Sequence, residues 1–99
     1  MRKDERLYLN RVAALGCAIC RRLGWGETPP QVHHQRTGVG KAQRASHYNV
    51  IPLCHEHHLG NTGIHGMGIR AFEREYGITE VELVQETQRD LGHIKNPAQ

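Results

Sequence analysis

Tyr48-Asn49-Val50-Ile51-Pro52-Leu53-Cys54-His55-Glu56-His57-His58 is an apolar run that passes directly into a cluster of metal-ligand side chains. The apolar part reads as a strand, and the cluster is dense enough to begin a helix. Cys54 and His57 stand at i, i+3, and so do Cys17 and Cys20 upstream. Thiolate and imidazole ligands at that spacing reach one ion from a tight turn, so the two pairs can close a single tetrahedral zinc site. Closing it pins the chain at a knot and gathers His33, His34 and Asn49 next to His58.

A chain of 99 residues makes one domain with a limited core. Its hydrophobic content of 37% and its five Phe, Trp and Tyr residues are low for a freestanding globule. A structural zinc is therefore expected to supply part of the folding free energy. Three cysteines cannot all pair as disulfides within a monomer. With no secretory signal and no apolar run of membrane length, a reducing, cytoplasmic setting without membrane association is expected. Oligomeric state is not legible.

The net charge of +3 averages two unlike halves. Residues 1–50 hold nine Lys/Arg against three Asp/Glu, and residues 51–99 hold four against seven. The basic half carries Cys17, Cys20, the His33-His34 pair and the glycine-containing stretch with Arg36, Lys41 and Arg44. A polyanion such as nucleic acid is drawn to such a surface, although an ordinary solvated basic face has the same composition.

Along the chain, Asp4 to Leu15 reads as a helix with Leu7, Val12 and Leu15 inward and Gly16 as its stop. Gly24, Gly26, Pro29 and Pro30 break regular structure ahead of a strand at Gln31 to Gln35, which runs into a loop at Gly38 to Gly40. A second strand is expected at Tyr48 to Leu53. Gly60, Gly63, Gly66 and Gly68 place His65 in a loose segment. Arg70 to Tyr76 presents Phe72 and Tyr76 on one helix face. Thr79-Glu80-Val81-Glu82 fits a capping box for a last helix with Val81, Val84 and Leu91 inward and Gly92 at its end. Lys95 to Gln99 are expected to fray. There is no internal repeat or low-complexity segment.

The order of a strand with paired histidines, a loop, a strand opening at Asn49 and a helix starting with His58 resembles the HNH, or ββα-metal (His-Me finger), nucleases. The matching positions are His33-His34, Asn49 in Asn49-Val50-Ile51-Pro52-Leu53-Cys54, and His58. The knuckles Cys17-Ala18-Ile19-Cys20 and Cys54-His55-Glu56-His57 are similar to those framing many such domains, with His57 in place of a fourth cysteine. Val32 to Gly38, Arg44 to His47 and Ile51 to His58 are most similar to the Ref-like phage recombination-enhancement nucleases, which act on DNA with RecA. The resemblance spans residues 17–77. It implies a small α+β fold, a zinc-stabilised ββα-metal core with flanking helices over about 67–92, in one nuclease domain covering residues 1–99. It also implies a metal-dependent DNA endonuclease serving phage or prophage recombination, with RecA as a partner by resemblance alone.

Phosphodiester hydrolysis needs an activated water and a cation to neutralise the phosphate and the departing oxygen. Neighbouring residues on a strand point to opposite sides, so His33 and His34 can serve two tasks around one phosphate. The resemblance gives His33 and His58 to a catalytic divalent ion, Mg²⁺ or Mn²⁺, and makes His34 the general base. It also makes Asn49 the residue whose side chain ties the loop between the strands and orients that base; a simple turn asparagine is the other reading. His65 can bind metal or substrate, and His47 can contact a phosphate. Arg36, Lys41 and Arg44 are phosphate-contact candidates, with a solvated loop as the alternative. Trp25 is expected to pack on the zinc knuckle rather than on a base, and His55 to be an exposed helix residue. Two other functions remain open: a zinc-stabilised DNA-binding module without catalysis, and a small interaction domain whose histidines bind metal adventitiously.

Overall fold

The hairpin that carries His33 and His34 is built from two four-residue strands, β1 (Gln31–His34) and β2 (Val50–Leu53). They pair antiparallel, with His33 opposite Ile51 and His34 opposite Val50. The Gln35 N–H donates to the Asn49 carbonyl at 2.9 Å and closes the ladder at the loop end. All four residues of β2 are buried, which explains its unbroken apolar run. Pro52 is tolerated because a two-stranded sheet has only edge strands.

The computed structural model describes residues 1–40, 43 and 45–93, and it shows a small α+β fold with one two-stranded sheet among helices. The helices are α1 (Lys3–Ala14), α2 (Ala18–Arg22), α3 (His55–His58), α4 (Ile64–Met67), α5 (Ile69–Tyr76) and α6 (Glu80–Asp90). One apolar cluster joins α2, β2, α4, α5 and α6 through Ile19, Ile51, Leu53, Ile64, Phe72, Leu83 and Val84, with the three cysteines inside it. A smaller cluster seats α1 on the sheet through Tyr8, Val12 and Val50.

Several details differ from the sequence reading. α1 buries Tyr8 and Val12, whereas Leu7 is 54% exposed. Cys17 caps α2, a five-residue helix, so the first knuckle is a helix start. The glycine-rich segment is closely packed rather than loose. A Cβ on Gly66 would lie 1.8 Å from the Gly60 carbonyl oxygen, and one on Gly63 would lie 2.5 Å from that of Glu56. The glycines let α4 approach the α3 backbone more closely than any side chain allows. α6 begins as expected: Thr79 accepts from the Glu82 N–H at 3.0 Å, and Glu82 accepts from the Thr79 N–H at 2.9 Å. Of the residues expected inward, Val84 is buried and Leu91 packs on the smaller cluster, while the rest of the buried face is Glu80, Leu83 and Thr87. Lys95 to Gln99, expected to fray, lie outside the described residues.

Candidate metal centres and the family of the chain

Cys17 and Cys20 at the start of α2 meet Cys54 and His57 at the start of α3, all four buried. Cys20 Sγ lies 3.8 Å from Cys54 Sγ, and His57 Nδ1 lies 3.6, 3.5 and 3.3 Å from the sulfurs of Cys17, Cys20 and Cys54. Zn–S bonds of about 2.3 Å and a Zn–N bond of about 2.0 Å, arranged tetrahedrally, require edges of about 3.8 and 3.5 Å. The four atoms therefore form a cage of the right size for a metal such as zinc. Trp25 stacks on the His57 ring with centroids 5.8 Å apart while remaining 67% exposed, and Tyr76 meets the same ring edge-on.

A second cluster begins at the next residue of α3, His58. His33 on β1, His58 on α3 and His65 on α4 bring their ring nitrogens within 4.8 Å of one another. Their ring centroids are 4.8 to 5.4 Å apart. Burial, then the neighbouring imidazoles of His33, His65 and His55, push the His58 pKa down to about 4. Burial and His33 likewise lower that of His65. Neutral imidazoles with open lone pairs are metal donors.

The outer partners of these rings decide which nitrogens remain free. Gln31 Oε1 accepts from His58 Nδ1 at 2.7 Å, which leaves Nε2 of His58 bare. His33, 1% exposed, places Nε2 2.6 Å from Oε2 of Glu80, which is 0% exposed. Oε2 also accepts from the Arg36 N–H at 3.0 Å, and Oε1 from the Thr37 N–H at 2.8 Å. Burial alone would raise the Glu80 pKa, but the bonds from His33, Thr37 and Arg36 outweigh it and bring it down to about 2. Glu80 appears in the sequence reading only as part of a capping box. An acidic residue in phase with Leu83, Val84 and Thr87 on an inward i, i+3, i+4, i+7 stripe was the signal for it.

His34, on the other face of β1, makes a 3.0 Å contact from Nε2 to Nδ1 of His47. Burial, then His47 and His33, lower its pKa. A groove of about 510 Å³ opens beside this pair, lined by Glu5, His34, Arg36, Ser46 and His47 among others. The Asn49 side chain accepts from Gln88 on α6 at 3.1 Å, while Gln88 also bonds the Tyr48 carbonyl at 2.9 Å. Its tie among the described residues therefore runs to α6. Arg36 is exposed at the groove and His55 is exposed on α3, whereas Lys41 and Arg44 lie outside the described residues. No helix among the described residues is long and apolar enough to cross a membrane.

No curated protein and no solved structure matches the chain. The family profile described as "Recombination enhancement, RecA-dependent nuclease" matches residues 2–93, which takes in the hairpin, both histidine and cysteine clusters and α6. The chain thus belongs to the family of RecA-dependent nucleases of recombination enhancement.

Proposed function

We propose that this protein is a DNA endonuclease of the HNH type, hydrolysing phosphodiester bonds at a single divalent ion held by His33, His58 and His65, with His34 as general base. The observation that carries the proposal is the division of labour across β1. His33 turns into a trio of imidazoles, while the adjacent His34 turns out to a groove beside the exposed Arg36. The order β1, β2, α3, with the metal-ligand cluster on the helix, supports the ββα-metal assignment.

His34 Nε2 is engaged by His47, so Nδ1 is the nitrogen left to take a proton from water. For that, His34 must donate its Nε2–H to His47, which fixes the ring plane and the tautomer. The lowered pKa keeps His34 neutral and able to accept a proton near pH 7. His47 thereby has a role beside the base in addition to the phosphate contact expected from sequence. Asn49, through Gln88, anchors the start of β2 to α6 and so the ladder position opposite His34.

When bound at the trio, a divalent cation supplies charge neutralisation for the phosphate and the leaving oxygen. Three imidazoles favour Mn²⁺ over Mg²⁺, which prefers oxygen ligands. The Cys17, Cys20, Cys54 and His57 cage is the structural zinc site. DNA is the substrate, with Arg36, Lys41 and Arg44 on its phosphates, and RecA is the partner that the family description points to.

Nicking of supercoiled plasmid with Mn²⁺ tests the reading. His34→Ala is expected to lose about 10² to 10⁴ in rate while keeping its Mn²⁺ affinity. His33→Ala and His58→Ala are expected to lose that affinity as well. A His34 variant that cuts at the parent rate, or a parent that never cuts, would leave a non-catalytic DNA-binding module as the function.

A further inference from the structure

Glu80 lies outside every role assigned above. It is a fully buried carboxylate on a face otherwise made of Leu83, Val84 and Thr87, and buried carboxylates are rare unless paired. All of its hydrogen bonds from other residues' side chains, and from the turn after β1, converge on one place. His33 and the Arg36 N–H meet Oε2, and the Thr37 N–H meets Oε1. The Glu80 backbone N–H is in turn held by Glu73 at 2.8 Å, so α5 fixes the start of α6 where this carboxylate sits.

We propose that Glu80 is a positioning residue for the metal site: it takes the Nε2–H of His33, leaves Nδ1 as the ligand atom, and locks the Arg36–Thr37 turn in register with that ring. Both Glu80 oxygens already face backbone N–H donors, Arg36 at Oε2 and Thr37 at Oε1, so this carboxylate sits in an accepting role and the 2.6 Å contact is filled by the His33 Nε2–H. A histidine that ligates a metal through one nitrogen commonly gives the other N–H to a carboxylate, which orients the ring and makes the free lone pair more basic. The same carboxylate holds the backbone of Arg36, three residues beyond His33, so one side chain sets both a metal donor and the entry of the DNA-contact loop. A purely architectural Glu80 would satisfy the turn and have no bearing on which His33 nitrogen is protonated.

This inference rests on the metal-site reading above, and the experiment separates the two. The zinc-loaded chain, with no second metal added, is studied by long-range ¹H–¹⁵N NMR of the histidine rings, His33 being assigned by its loss in His33→Ala. The expected result for the parent is His33 in the Nε2–H form. In Glu80→Ala, that preference is expected to disappear. Glu80→Gln keeps an oxygen for His33 and Arg36 but faces its NH2 donor against the Thr37 N–H, so the ring bond survives while the Thr37 bond and the negative charge are lost. With zinc content and circular dichroism unchanged, its Mn²⁺ affinity by calorimetry is expected to fall about 10- to 100-fold.

An Nδ1–H form of His33 in the parent overturns the proposal without need of any variant. A folded Glu80→Gln with parental Mn²⁺ affinity overturns it also. If His33→Ala leaves Mn²⁺ binding untouched, the metal-site reading itself has failed and the positioning role goes with it, whatever the tautomer. Should Glu80→Gln not fold, Glu80→Asp retains the charge at shorter reach. Recovery of both the Nε2–H form and part of the affinity is expected there, and recovery of the fold alone counts against the role.

Discussion

Stripping the metal from the Cys17, Cys20, Cys54 and His57 cage should strongly destabilise the domain, and the size of the effect follows from the chain it closes. Cys20 and Cys54 are 34 residues apart. Cross-linking a loop of that length removes unfolded-state entropy worth about 4 kcal/mol in the chain-closure relation for disulfides, and a metal clip acts on the same entropy. A domain of this size has about 5–15 kcal/mol in total. Its main apolar cluster contains all three cysteines, so the loss also leaves buried thiols without their ligand role in the core. At about 4–8 °C per kcal/mol for a 60–100-residue domain, the midpoint should fall by at least about 16 °C. Thermal denaturation by far-ultraviolet circular dichroism, with and without a zinc-selective chelator and with zinc content measured on the same samples, is the assay. Cys54→Ala should reproduce the chelated state. A demonstrably zinc-free protein melting within a few degrees of the loaded one would refute the reasoning, as would purified protein containing no zinc and three freely reactive cysteines.

The same geometry supports three further predictions. Gly66→Ala should cost about 1–3 kcal/mol or more, because its Cβ meets the Gly60 carbonyl oxygen at 1.8 Å, and Mn²⁺ affinity should fall with it as α4 and His65 move off α3; unchanged melting would contradict the close packing. Glu80 has a pKa lowered from 4.5 to about 2, so its contribution, about 3 kcal/mol, is present above pH 4.5 and lost as pH falls toward 2; Glu80→Gln should flatten the urea-derived stability profile in that window relative to the parent. Neutralising Arg36, Lys41 or Arg44 on a His34→Ala background should lower the slope of log affinity against log salt by about 1 for unrelated DNA sequences alike, measured by fluorescence anisotropy; three unchanged slopes would move the footprint to α1, with Arg2, Lys3, Arg6 and Arg11.

What could be read from sequence was whatever local spacing encodes. The i, i+3 pairs that form the cage, the apolar run of β2, and the reciprocal cap between Thr79 and Glu82 each leave a pattern within a few residues. Helices of four or five residues, α2 and α4, do not, because they are barely longer than one turn and show no period. The bond between His33 and Glu80 spans 47 positions and has no spacing to betray it. In α6 Val81, Val84 and Leu91 are helically spaced, and the structure buries Val84 and packs Leu91 on the smaller cluster, but the buried face is centred one residue earlier, on Glu80, Leu83, Val84 and Thr87. Two overlapping stripes fit the same sequence, and only the one with an acidic member raises the question of its partner. The glycines around His65 suggested freedom, whereas Gly60, Gly63 and Gly66 sit where two stretches of backbone touch, and that becomes visible only when α3 and α4 are seen side by side.

His57 and His58 are consecutive on α3, and successive helix positions diverge by about 100°, so one turn of helix faces the cage with one ring and the histidine trio with the next. On the nuclease reading, the two ions cannot arrive in either order. Until zinc has drawn α3 against α2, His58 has no fixed place opposite His33, and the second ion meets three scattered imidazoles. Zinc supply then acts as a licence for cutting: a chain made in a zinc-starved cell stays harmless to DNA however much Mn²⁺ surrounds it.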